Sequence, residues 1–107
     1  MNDSISLKRF EIVIGIEYLN HLIELLERSE VRGYTIIKNA GGIGSRGIRN
    51  PDDALIANEN AVIILACQEG HAQKVLNELQ PAMKNFNGMC LISNCHTQTH
   101  SLHHQLG

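Results

Sequence analysis

The 107-residue sequence predicts one α+β domain in the order strand, helix, strand, strand, helix, strand. Apolar residues recur with period two near the start, with helical spacing in two later stretches, and in short β-branched runs between them. The length suits a single core and leaves no room for a second. Hydrophobic residues make up 43% of the chain and charged residues 19%, enough apolar surface to fold and unlike the composition of a disordered segment.

From Lys8 to Glu17, Phe10, Ile12, Ile14 and Ile16 alternate with Glu11, Val13, Gly15 and Glu17, the pattern of a half-buried strand. Leu19, Leu22, Ile23 and Leu26 then fall at i, i+3, i+4 and i+7, with His21, Glu24, Glu27 and Arg28 opposite, so an amphipathic helix ends near Ser29. Gly33 supplies a turn into Tyr34-Thr35-Ile36-Ile37, a second strand of aromatic and β-branched residues. Ala61 to Ala66 is a short apolar run and reads as a third strand. From His71, the residues Ala72, Val75, Leu76, Leu79, Met83 and Phe86 keep helical spacing to Gly88, with Pro81 expected to kink or divide the helix. Asn87-Gly88 leads into a fourth strand over Met89 to Ser93. This order is the split βαβ of a ferredoxin-like sandwich, with two helices on one face of a four-stranded sheet. Val13 and the neighbourhood of Cys90 would make the sheet apolar on both sides, and an uncovered apolar face implies an oligomer.

Nine Lys and Arg against eleven Asp and Glu give a net charge of −2, so there is no global basic field to hold nucleic acid or an anionic membrane. The stretch from Met1 to Leu7 lacks the pattern of a secretory signal, and no run reaches membrane-spanning length, so the expected compartment is the cytoplasm without direct membrane insertion. The three cysteines have no CxxC spacing, which argues against a disulfide scaffold.

Between Ala40 and Asn60 the hydrophobic periodicity stops, and Gly41, Gly42, Gly44, Gly47 and Pro51 break regular structure. A connection this long is uncommon unless functional or disordered. Its start, Gly41 to Arg49, joins glycines whose amides can form an anion nest with two guanidinium groups suited to phosphate. The bland alternative is a solvated loop with incidental arginines. Gly42, Gly44 and Gly47 formally satisfy a dinucleotide fingerprint, yet no helix follows to receive the pyrophosphate. A second candidate is the C-terminal stretch with Cys95, His96, His100 and His103, ligand types that suit Zn, Ni or Cu, although a terminus of this composition also reads as disordered. No nucleophile beside a positioned base is recognisable, and Glu11 and Glu17 would stand about 20 Å apart along a strand, so no enzymatic activity is expected.

Gly33-Tyr34-Thr35-Ile36-Ile37, followed by Gly41-Gly42-Ile43-Gly44-Ser45-Arg46-Gly47-Ile48-Arg49, resembles the second strand and T-loop base of PII-like signalling proteins. Those associated with carboxysomes and bicarbonate transport are nearest in pattern. The similarity runs from about Lys8 to Ser93, which divides the chain into a domain over 1–95, with its T-loop at about 40–60, and a His-rich tail over 96–107.

The resemblance implies a homotrimer with its sheets packed inward and an adenine nucleotide (AMP, ADP, ATP or cyclic AMP) in each cleft between subunits. Thr35 would hold the adenine or ribose side. Gly42, Gly44, Ser45 and Arg46 would meet phosphates, Arg49 would add a second cation, and Lys38 is a further candidate. Asn87, Gly88 and Met89 would bring backbone to the base from the other wall. The T-loop would act on a partner such as a bicarbonate transporter, another transporter or a carboxysome-related protein, drawing the chain to the inner membrane face. Bicarbonate is a candidate second ligand, because Arg and backbone amides suit a planar oxyanion. The tyrosines, Tyr18 and Tyr34, both precede the loop, and Ala40 to Asn60 contains no Tyr or Gln, which departs from nitrogen-sensing relatives that are uridylylated and sense 2-oxoglutarate. The alternative reading places a metal-sensing protein on the same trimer, using the Cys- and His-rich end.

Overall fold

The computed structural model describes residues 4–40, 42–44, 47–49 and 60–98. Strand β1 (Ser4–Gly15) leads through a 3-10 turn (Ile16–Tyr18) into helix α1 (Leu19–Arg28). Next come β2 (Thr35–Ala40), the short strands β3 (Gly42–Gly44) and β4 (Gly47–Arg49), then β5 (Asn60–Cys67), α2 (Glu69–Phe86) and β6 (Met89–Gln98). The main sheet is antiparallel in the order β2-β5-β1-β6, the ferredoxin-like topology expected from the element order.

Register decides the core. Phe10, Ile12 and Ile14 on β1 stand opposite Leu65, Ile63 and Ala61 on β5, and all six are buried. Strand alternation turns this set to one face, where Leu22, Leu25 and Leu26 of α1 and Val75 and Leu79 of α2 complete the cluster. Each fully buried aliphatic or aromatic side chain of this kind contributes about 1.5–3 kcal/mol. Where α1 ends, the buried Ser29 hydroxyl donates to the Leu25 carbonyl at 3.0 Å, and Glu30 takes a left-handed conformation with φ 64°. Helix α2 is fastened there: His71 Nε2 lies 2.5 Å from the Ser29 carbonyl and Lys74 Nζ lies 2.5 Å from Glu30 Oε1. A carbonyl only accepts, so His71 carries its proton on Nε2.

The opposite sheet face carries no helix. Its rows run Ile37–Val62–Val13–Met89 and Thr35–Ile64–Glu11–Leu91, with Arg9 between Ala66 and Ser93 in the next row. Ile37, Met89 and Leu91 are 47%, 50% and 53% exposed, so the uncovered face is indeed apolar. Cys90 lies on the other side, opposite Ile12, and packs against the core. Among the described residues no helix is long and apolar enough to cross a membrane.

Four details depart from the sequence reading. The first strand starts at Ser4 rather than Lys8, and Glu17 belongs to the 3-10 turn. The fourth strand continues past Ser93 to Gln98, because residues 94–98 pair with 4–8 of β1. Residues 96–98, assigned to the tail, are therefore part of the sheet. The glycine-rich loop is not wholly irregular, since Gly42–Gly44 and Gly47–Arg49 pair as a small antiparallel hairpin. Pro81 does not divide α2, which runs through it to Phe86.

Candidate functional site

The feet of the long connection are pinned side by side. Ala40 at the end of β2 pairs with Asn60 at the start of β5, Asn60 pairs with Gly15 of β1, and a register irregularity falls between Lys38 and Ala40. The ladder thus delivers both ends of the connection to one end of the sheet. Met89, which pairs with Val13, starts β6 at that same end. The loop base and the turn after α2 therefore lie at one end of the molecule, brought there by antiparallel pairing rather than by proximity in sequence.

Within the connection, Gly42 stands opposite Arg49, Ile43 opposite Ile48, and Gly44 opposite Gly47. The hairpin is joined through Ser45 and Arg46, which lie outside the described residues, as do Gly41 and residues 50–59. Backbone pairing thus brings three of the expected phosphate-binding positions, Gly42, Gly44 and Arg49, into one hairpin.

Thr35 and Lys38 are both exposed on the edge strand β2, but alternation sends them to different faces. Thr35 lies on the helix-free face in the row of Ile64, whereas Lys38 stands opposite Ala61 on the helix side. Three residues apart on one strand, they part by alternation, and register decides which face each takes.

Asn87 closes α2 in the left-handed conformation, φ 49° and ψ 44°, and its amide donates to the Met83 carbonyl. Gly88 follows for a steric reason. A Cβ at that position would lie 2.5 Å from the Val13 carbonyl oxygen and 2.7 Å from Ile14 Cγ2, so the turn lies directly on β1. The missing side chain admits the chain's own strand, a packing role that the sequence reading did not foresee. It also leaves Asn87, Gly88 and Met89 exposed at the opposite edge of the sheet from Thr35.

Two of the four candidate metal ligands, Cys95 and His96, lie among the described residues, and these two are not brought together. Cys95 and His96 are consecutive residues of β6, so their side chains leave on opposite faces. His100 and His103 lie outside the described residues, and among those described no group of three or more His, Cys, Asp or Glu is placed to hold a metal ion. Burial raises the thiol pKa of Cys67, with the charge of Cys95 adding to it, and burial alone raises that of Cys90. Both shifts disfavour the thiolate that a metal needs.

Two polar features escaped the sequence reading. Arg9 and Glu11 form an ion pair on the helix-free face. At the end of the sheet away from the loop, a cleft of about 280 Å³ is lined by Lys8, Glu69, Asn94 and His96 among others, with Lys8 Nζ 2.5 Å from Asn94 Oδ1. The Lys8–Asn94 contact depends on which strand faces overlap, whereas Arg9 and Glu11, two residues apart on β1, share a face by alternation alone.

Comparison with known proteins bears on the same features. The family described as nitrogen regulatory protein P-II matches residues 7–98, nearly the whole described chain. UPF0166 protein MJ1524 of Methanocaldococcus jannaschii is 32% identical over 78 residues, covering 71% of this chain and 70% of that protein. CPII from Thiomonas intermedia K12, a nitrogen regulatory PII-like protein solved with ADP, AMP and bicarbonate, superposes with a TM-score of 0.77 at 26% identity, covering 90% of this chain and 92% of that one. TTHA0516 from Thermus thermophilus, assigned as a PII-like signaling protein, gives a TM-score of 0.70 at 28% identity over 91% of this chain and 94% of its own. With the glycine- and arginine-bearing connection rooted between β2 and β5, and the match extending from β1 to the end of β6, the chain belongs to the P-II family.

Proposed function

We propose that this protein is a regulatory homotrimer that binds an adenine nucleotide in clefts between subunits and acts on a partner through its 40–60 loop, without catalytic chemistry of its own. The observation that carries this reading is the separation of the two candidate residue sets by the sheet. Thr35 is on one edge strand and Met89 on the other. Three inter-strand spacings lie between those strands, about 14 Å. Met89 starts its strand at the loop end and Gly42, Gly44 and Arg49 belong to the connection there, whereas Thr35 opens β2 on the helix-free face, on the opposite outer strand from Met89. A nucleotide gripped by both sets takes Thr35, Gly42, Gly44, Ser45, Arg46 and Arg49 from one chain and Asn87, Gly88 and Met89 from the next. Lys38, on the other face of β2, stands outside this grouping.

The apolar helix-free face supports assembly, and the complexes of CPII with ADP, AMP and bicarbonate support the ligand class. Bicarbonate is the second ligand we assign, held by a guanidinium and backbone amides. Phosphate contacts at the loop base then set the surface that residues 40–60 present, and the partner, a bicarbonate or other transporter, reads that surface.

Titration calorimetry with AMP, ADP, ATP and cyclic AMP, with and without bicarbonate, tests the reading. Binding of at least one nucleotide is expected, and failure of all four at millimolar concentration rejects it. Arg46→Ala should weaken binding by about 1.5–3 kcal/mol through loss of a charge-assisted hydrogen bond. An unchanged affinity would remove Arg46 from the site.

A further inference from the structure

The helix-free sheet face is mainly apolar, with Thr35 and Ser93 as uncharged polar positions on its outer strands and its charge confined to the centre. Among the described residues on that face, Arg9 and Glu11 alone are charged, and both sit on the central strand β1. Around them lie Val13, Val62, Ile64, Met89 and Leu91. The two side chains pair with each other and are 36% and 38% exposed. A cover of unrelated apolar chemistry would strip water from this pair while offering it no partner. Desolvation of that kind can exceed the attraction between the charges. A second copy of the same face is different, because it brings one cation and one anion of its own. The face is therefore self-complementary in charge as well as in hydrophobicity.

We propose that Arg9 and Glu11 are the specificity element of the subunit interface: enclosed where copies of this chain meet, they hold the apolar faces in one register and admit only further copies of the same chain. The inference rests on the trimer reading and adds to it the residues that set register and partner choice. Apolar rows alone resist slippage weakly, since Ile, Val, Leu and Met exchange places at little loss. A single polar element in an apolar interface penalises every arrangement that leaves a charge against hydrocarbon, the best-attested use of such groups. Charge pairing of this kind also excludes related chains whose pattern differs.

Native mass spectrometry and sedimentation of the full chain test this, with far-UV circular dichroism to check that each variant folds. Wild type is expected to be a trimer. Glu11→Gln leaves Arg9 enclosed without an anion and should weaken assembly by about a hundredfold or more. The double variant Arg9→Leu/Glu11→Leu should assemble again but populate additional stoichiometries. The charge-swapped variant Arg9→Glu/Glu11→Arg should form trimers with itself and few mixed trimers when exchanged with wild type. A wild-type trimer accompanied by an equally stable Glu11→Gln trimer, or by statistical mixing of swapped and wild-type chains, overturns this inference and leaves the trimer reading standing. A monomeric wild type overturns both.

Discussion

At the scale of single residues, two positions do more than their types suggest. Gly88 is required because the Val13 carbonyl occupies the space a side chain would need. Gly88→Ala must therefore displace the start of β6 from β1, and we expect a loss of about 1–3 kcal/mol, typical of overpacking. Thermal unfolding measures it, and an unchanged midpoint would show that the turn yields freely. Glu30 holds the end of α1 to α2. Its hydrogen bond from Lys74, and secondarily the charge of Lys74, keep its carboxyl below the ordinary value of 4.5. The folded pKa is thus the lower one, so the contact stabilises above pH 4.5 and fades as pH falls through the folded value. Glu30 is exposed to solvent, so salt should weaken the effect. Lys74→Met should flatten the acid limb of a stability profile between pH 5 and pH 3 (roughly the window of a surface carboxylate), and an unaltered limb would assign the acid sensitivity to other groups.

At the scale of elements, α2 and β6 carry the instructive differences. Helix α2 continues through Pro81, which has no amide to donate to the carbonyl four residues earlier. Pro81 is exposed, so no core contact repays that missing bond. Replacing it with alanine restores the bond and relieves the ring's clash, although the unfolded chain gains freedom. The helix term is about 3 kcal/mol and the opposing entropy about 1 kcal/mol, so Pro81→Ala should stabilise by about 1–2 kcal/mol in a denaturant titration. A destabilised variant would mean that a bend at Pro81 seats the last turn of the helix, including Phe86 against Tyr18, whose ring centroids are 5.3 Å apart. Strand β6 outran its sequence signal because Asn94, His96 and Gln98 have no apolar alternation. Residues 94–98 are strand because residues 4–8 pair with them. The same holds for Ser4, whose partner Gln98 is remote in sequence.

At the scale of the whole molecule, one end of the sheet gathers the loop base and the turn after α2, and one face stays apolar and uncovered. If both belong to one assembly, disrupting the face disrupts the cleft. Leu91 is 53% exposed on that face and lies away from the loop-base hairpin. Leu91→Lys should leave far-UV circular dichroism unchanged, dissociate the trimer, and abolish measurable nucleotide binding. A monomeric variant that binds nucleotide with wild-type affinity would place the whole site within one chain.

The order of elements, the position of the long connection and the family resemblance were legible in the residues. Period-two and 3.6-residue patterns, glycine clusters and the Gly33–Arg49 string are properties of near neighbours, and a chain displays them before it folds. Tertiary structure alone decided which sheet face Thr35 takes and which Lys38, that Gly88 abuts Val13, that residues 94–98 are strand, and that Arg9 and Glu11 lie on the uncovered face. Each of those facts depends on register, which is fixed by pairing between segments tens of residues apart. A shift of one residue would reverse every face while leaving the local patterns untouched.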